Sequence, residues 1–364
     1  MSDMSAPSIP NLLGLRGSRG GRGLRGRSRG RGGPHSSTAA STHDSIIQGT
    51  DTDAAMSRIS AVDLDYLKDP YAHAFVVARM AGATLRRLPI INRGTYTRTT
   101  ALDMLIDSFL SATAGKQRQI ISLGAGTDTR VFRLFPKGGH GKLIYHEVDF
   151  PAITDKKFDI VKSSAVLRMV IRTPERTDQA PHTWCDQGLP DANQYWCHGV
   201  DLRDLSGPDV AQFQGLQTDI PTLLVSECCL CYLEVTEASS VIKYFTDQIP
   251  SLALILYEPI HPEDSFGRQM VSNLAARHIR MPTLKEYTDT TAQMARLRDA
   301  GFESACSLTI ERIWEHWIPL DEKERVDSLE GLDEVEEWNL LAGHYAISWG
   351  WRGIDLEPWR INSP

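Results

Sequence analysis

Short apolar runs separated by helical patterns occupy the middle of this chain, and that alternation most limits how it can fold. QIISLGAG (119–126), KLIYHEVDF (142–150), HGVDLRD (198–204), TLLVSECCL (222–230) and LALILYEP (252–259) have the length and side-chain content of strands. Between them, TDTRVFRLF (127–135) and VTEASSVIKYFTDQI (235–249) repeat apolar residues at helical spacing. Strands alternating with helices predict a parallel sheet covered on both faces, a doubly wound α/β architecture. Later segments extend it. DSFGRQMVSNLAARH (264–278), DTTAQMARLRDAGF (289–302) and LDEVEEWNLLAGH (332–344) suit helices, whereas SACSLTIERIW (304–314) and YAISWGW (345–351) suit strands. The expected sheet has seven strands, mostly parallel.

Ahead of it, from about Thr52 to Gly115, helices broken at Pro70 and Pro89 form a preface. Ala78, Ala81 and Leu85 make one apolar series there, and Leu102, Leu105, Ile106 and Phe109 another. The stretch 161–197 is polar and punctuated by proline, so it is either an insertion or an element without a readable period. The domain expectation is a tail over 1–50 and a folded unit over 51–364, with a helical cap at 51–115 and a Rossmann-like core with insertions at 116–364.

The net charge of −7 hides an asymmetry. Residues 1–43 hold seven arginines, no lysine and one acid, so the tail is basic and the remainder strongly acidic. Glycine and arginine dominate residues 14–33, which offer no apolar surface to offset the entropy of ordering them. A disordered tail is expected. Its composition suits weak RNA contact, arginine methylation or a presequence as well as a plain solvated extension, although glycine disfavours the amphipathic helix of a presequence. No apolar run approaches the roughly 18 residues needed to cross a bilayer, and no secretory signal precedes the six cysteines. The expectation is a cytoplasmic monomer without disulfides or membrane contact.

In an open α/β sheet, ligands bind beyond the carboxyl ends of the strands. The first strand ends in Gly124-Ala125-Gly126, where missing Cβ atoms admit a ligand to the backbone. Thr129 stands where a full dinucleotide fingerprint has its third glycine, which favours a cofactor without a pyrophosphate. The next strands deliver Asp149, then Asp201 with the backbone of Leu202, then Glu227. A glycine loop with acids on three following strands suits a nucleoside bearing an ammonium group, and S-adenosylmethionine has that chemistry. No metal site is expected. Cys228 and Cys229 are adjacent and face opposite sides of a strand, Cys231 lies two residues on, and His198, His261 and His344 lack zinc spacing.

The runs INRGTYTRT (91–99), SLGAGTDTRVFRL (122–134), EVDFP (147–151), GVDLRDL (199–205), SECCLCYL (226–233), YEPIHPEDSFGRQMVSNL (257–274) and LDEVEEWNLLAGHY (332–345) resemble the leucine carboxyl methyltransferase family. Members of that family methylate the C-terminal leucine carboxylate of the protein phosphatase 2A catalytic subunit. The resemblance covers about residues 54–352 and implies a class I S-adenosylmethionine-dependent methyltransferase fold. Residue by residue, it implies cofactor contacts from Arg93, Gly124, Asp149, Asp201, Leu202 and Glu227, with Arg58 where relatives carry a lysine. It also implies the phosphatase subunit as protein partner.

The substrate carboxylate, with a reference pKa of roughly 3.5, is already ionised at neutral pH, so positioning matters more than proton removal. Arg93, Arg58 and Tyr232 are the expected positioning groups, and Arg133 is expected on the outer face of the helix after the glycine loop. Two rival readings remain. One is the related tRNA wybutosine carboxyl methyltransferase, which adds a C-terminal β-propeller that this sequence lacks. The other is an RNA-associated adaptor acting through its Arg/Gly tail, which the acids at the strand ends argue against.

Overall fold

The computed structural model describes residues 37–76, 86–138, 142–188, 192–206, 213–333 and 335–361. The Arg/Gly segment and the Ala78, Ala81 and Leu85 series lie outside the described residues. The strands are β1 (Arg118–Leu123), β2 (Leu143–Asp149), β3 (Glu175–Thr177), β4 (Ala180–Asp186), β5 (Gln194–Gly199), β6 (Thr222–Glu227), β7 (Leu252–Pro259), β8 (Ser304–Thr309) and β9 (Tyr345–Arg352). They form one nine-stranded sheet in the order β3-β4-β5-β2-β1-β6-β7-β9-β8. β5, β2, β1, β6 and β7 are parallel, and β9 runs antiparallel between β7 and β8. Chain direction across the sheet reverses at β1 and β6, which creates a crevice at their carboxyl ends.

Both faces of this sheet are covered. α1 (Ser37–Asp63) and α2 (Pro89–Ala112) form the preface, α3 (Arg130–Leu134) follows β1, and α4 (Pro151–Ser163) and α5 (Ala165–Arg168) follow β2. α6 (Val235–Gln248) joins β6 to β7, and α7 (Ser265–Ala276) and α8 (Thr290–Asp299) lie between β7 and β8. α9 (Ile310–His316), α10 (Leu320–Leu329) and α11 (Val335–Gly343) separate β8 from β9, and α12 (Glu357–Ile361) closes the described chain. Along β1, Ile120 joins the core that contains Leu102, Leu105 and Phe109 of α2, whereas Ile121 joins the core that contains Val241 and Phe245 of α6. That two-sided burial is why the central strands read as continuous apolar runs. No described helix is long and apolar enough to cross a membrane.

The sheet has nine strands instead of seven because the unassigned stretch 161–197 contains β3, β4 and the start of β5. β4 is exposed over its first half and buried over its second, so it carries no uniform period, and Pro181 sits in the irregular stretch between the paired residues Ala180 and Trp184, where a missing donor is tolerated. β5 begins at Gln194, earlier than the run 198–204 suggested, and residues 202–206 form a short 3-10 turn. The segment 304–314 is a strand only to Thr309. There the Thr309 side chain accepts a hydrogen bond from the Arg312 amide at 3.2 Å and starts α9. The polar helix α10 buries only Val326, which leaves no stripe to recognise. α1 begins at Ser37, so the boundary drawn at residue 50 falls inside a helix.

The added hairpin is tied to the core by Trp184. Its fully buried ring packs 5.5 Å from Phe158 and 5.0 Å from Tyr195, and its indole N–H donates to the Thr154 carbonyl at 3.1 Å. Trp184→Ala should lower unfolding free energy by about 3–5 kcal/mol. Chemical denaturation measures this, and a loss below about 1 kcal/mol would show that the hairpin is not part of the cooperative core.

Candidate active site

A cavity of about 400 Å³ opens at the carboxyl ends of β1, β2 and β6 and the turn after β5, with α1 as its outer wall. The glycine loop after β1 forms its floor. Gly124 and Gly126 have φ of +63° and +49°, and a Cβ at Gly126 would lie 2.5 Å from Asp51 Oδ1 of α1. Two carboxylates meet at this loop. The Gly126 amide donates to Asp149 Oδ2 and the Thr127 amide to Asp51 Oδ1, both at 2.7 Å. Asp149 Oδ1 also accepts from the Phe150 amide at 2.7 Å. Burial raises the Asp149 carboxyl to about 6; the two amides oppose that rise and the nearby Asp51 charge adds to it.

Opposite the loop, Asp201 holds Arg203 through contacts of 2.9 and 3.0 Å to its Nε, and Arg203 reaches Asp44 of α1 at 2.8 Å. Leu202 lies beside them in the wall. Glu227, at the end of β6, is gripped by Arg98 at 2.7 Å and Arg130 at 2.9 Å. Burial would push its carboxyl up, but those guanidiniums hold it below its ordinary range. Arg130 also binds Asp128 at 2.6 Å and Asp103 at 3.2 Å. Arg58 donates to the Thr127 carbonyl at 3.1 Å and lies 3.7 Å from Asp128. Tyr232 follows in a 3-10 turn. Its hydroxyl is buried without a hydrogen-bond partner among the described residues, and burial first, then the neighbouring Cys231 and Cys228, keep its pKa well up.

The structure therefore brings Arg58, Gly124, Asp149, Asp201, Leu202, Glu227 and Tyr232 around one cavity. It does not bring Arg93 there. The Arg93 guanidinium pairs with Asp327 of α10 and sits 4.8 Å over Trp314 and 5.6 Å over Trp338. Arg98 of the same motif lines the cavity instead. Five residues of helix turn a side chain through about 140°, so these two arginines leave α2 on different faces. Arg133 is corrected as well: its side chain is only 17% exposed and pairs with Asp103. Residues absent from the reading of the sequence are Arg98, Arg203 and Arg130, together with Asp44 and Asp51 of α1. Arg98 and Arg203 stand inside quoted motifs, and a helical projection of 89–112 would have separated Arg98 from Arg93.

The Arg98 side chain is only 8% exposed, and its Nε, although 2.7 Å from Glu227, makes no hydrogen bond among the described residues. A guanidinium in the wall of a cavity is a seat for a carboxylate. Asp149 and Asp51 supply hydroxyl acceptors across the floor. The arrangement suits a nucleoside with an amino-acid end, bound beside a second anion.

A family model described as leucine carboxyl methyltransferase matches residues 46–246. Leucine carboxyl methyltransferase 1 of Emericella nidulans is 46% identical over 354 residues, covering 90% of this chain and 90% of that one. The protein of the same description from Yarrowia lipolytica is 36% identical, covering 84% of this chain and 97% of that one. The human tRNA wybutosine-synthesizing protein 4 is 31% identical over 85% of this chain but only 44% of its own length.

Two outcomes follow, both read by calorimetry with S-adenosylhomocysteine as the probe. Arg98→Ala should weaken binding by tenfold or more, whereas Arg93→Ala should leave affinity within about twofold and lower Tm, since it strips Asp327 and the two indoles of their cation. Equal losses of affinity would return Arg93 to the site. The Asp149 carboxyl accepts from hydroxyl groups best when ionised, so affinity should be flat above about pH 7 and fall as pH drops through 6. Asp149→Asn should bind weakly at every pH and lack that fall.

Proposed function

Because the chain belongs to the leucine carboxyl methyltransferase family, we propose that it methylates the α-carboxylate of the C-terminal leucine of the protein phosphatase 2A catalytic subunit, with S-adenosylmethionine as donor. The observation that carries this reading is that the Arg98 guanidinium and the Tyr232 hydroxyl, which is buried without a hydrogen-bond partner among the described residues, line the wall of one cavity. The cofactor, when bound, supplies an electrophilic methyl group on a sulfonium. Asp149 is placed to take its sugar hydroxyls, Asp201 and Leu202 its base, and Arg58 or Arg98 its carboxylate. These assignments fit the donors and acceptors that the cavity offers.

The remaining chemistry is positioning. A terminal carboxylate needs no proton removed at neutral pH, so this site requires donors that hold an oxygen, not a base. Tyr232, whose pKa is well raised, remains a neutral donor throughout the working range. Its hydroxyl and a guanidinium can hold one carboxylate oxygen each and leave a lone pair directed at the methyl group. Burial strips water from that carboxylate and raises its reactivity. Arg203, at the opposite wall, is a further cation within the same cavity.

Radiolabelled S-adenosylmethionine incubated with the phosphatase should give base-labile label on the intact subunit and none on a subunit lacking its terminal leucine or carrying an amidated terminus. Label on either control would refute the substrate. At saturating cofactor, single-turnover rates on the intact phosphatase should be level between about pH 6 and 8. A tenfold rise per pH unit would show that a general base is needed.

A further inference from the structure

Asp51 lies in α1, a helix outside the sheet, yet its side chain is only 9% exposed and lines the cavity. One of its oxygens is occupied. Oδ1 accepts from the Thr127 amide at 2.7 Å. The other, Oδ2, is buried and has no hydrogen-bond partner among the described residues, with the Lys156 ammonium 3.5 Å away as its nearest opposite charge. A buried carboxylate oxygen left without a donor is costly, and native structures retain few of them.

Its surroundings indicate what fills the gap. The amides of Gly126 and Thr127 are consecutive, and each holds one carboxylate, from Asp149 and Asp51 respectively. Two acids arriving from β2 and α1 are thus set side by side on neighbouring backbone donors. Crowding them has a cost, since the Asp51 charge helps to raise the Asp149 carboxyl. A cis-diol offers two hydroxyl donors on adjacent carbons, which is the chemistry that matches two adjacent carboxylates. Gly126 is committed to the same arrangement, because any side chain there would strike Asp51 Oδ1.

We propose that Asp51 is a second ribose acceptor, its free Oδ2 taking a hydrogen bond from one hydroxyl of the cofactor's cis-diol while Asp149 serves the other. The assignment rests on the nucleoside-cofactor reading above. It makes α1 part of the binding site: cofactor and helix are joined through one side chain.

Asp51→Asn is the informative variant. Its amide oxygen can keep the Thr127 contact, while an NH2 group replaces Oδ2 and cannot accept from a hydroxyl. Calorimetry on the full chain should compare S-adenosylhomocysteine with its 2′-deoxy and 3′-deoxy analogues. The unaltered protein should bind the parent compound about tenfold or more tightly than each analogue. In Asp51→Asn, affinity for the parent should fall by a similar factor, and the preference over one of the two analogues should shrink to about twofold or less. Asp44→Asn loosens α1 at Arg203 without touching Oδ2, so it should weaken all three ligands equally and leave both preferences intact. Undiminished preferences in Asp51→Asn overturn the proposal while the cofactor reading stands. Failure of the unaltered protein to bind S-adenosylhomocysteine at all overturns both.

Discussion

The site depends on one buried cation. Arg130, with 2% of its side chain exposed, directs a planar fork of donors at Asp103 of α2, Asp128 of the glycine loop and Glu227 of β6. Three elements distant in sequence are fixed relative to one another by a single guanidinium, whose geometry a lysine could not reproduce. The neighbouring arginines extend the arrangement, so that Arg58, Arg98, Arg130 and Arg133 share three carboxylates. Burying so many charges is tolerable only because nearly all are paired, and removing one partner would leave several acids uncompensated. The positive excess is left at the cavity wall, where an anionic group has to be received.

A second polar network holds the preface against the late helices. Asn92 accepts from Ser60 of α1 at 2.8 Å and donates to Glu330 at 2.8 Å, and Arg86 binds the same Glu330 at 2.6 Å. Tyr96 reaches Glu322 of α10 at 2.8 Å. The INRG motif thus faces two ways. Its asparagine and first arginine anchor α10, while Arg98, just beyond, serves the cavity. α1 is consequently held on one side by the late helices and on the other by the glycine loop.

The parallel centre of the fold was legible because strands buried on both faces have few polar interruptions. The edge hairpin and α10 were not, since β3 spans only three residues, β4 changes from exposed to buried along its length, and α10 buries only Val326. The acids were found because strand ends place them at the crevice whatever the helices do. Arg93 was assigned wrongly for a different reason: a motif names residues but not the side of the helix from which each departs. The start of α1 was invisible because its anchors are remote, 159 residues from Asp44 to Arg203 and 76 from Asp51 to Thr127. Nothing local in a polar stretch records such partners.

The tryptophans have an optical consequence. Trp314 and Trp338 flank Arg93, Trp317 packs on Trp349, and Trp351 meets Trp359, while Trp184 and Trp196 belong to the opposite edge. None of the eight lines the cavity. Intrinsic emission from this protein therefore reports the integrity of the two sheet edges and is nearly blind to what fills the crevice between them. Melting followed by fluorescence and occupancy followed by heat are two independent channels, one for the frame and one for the chemistry it holds.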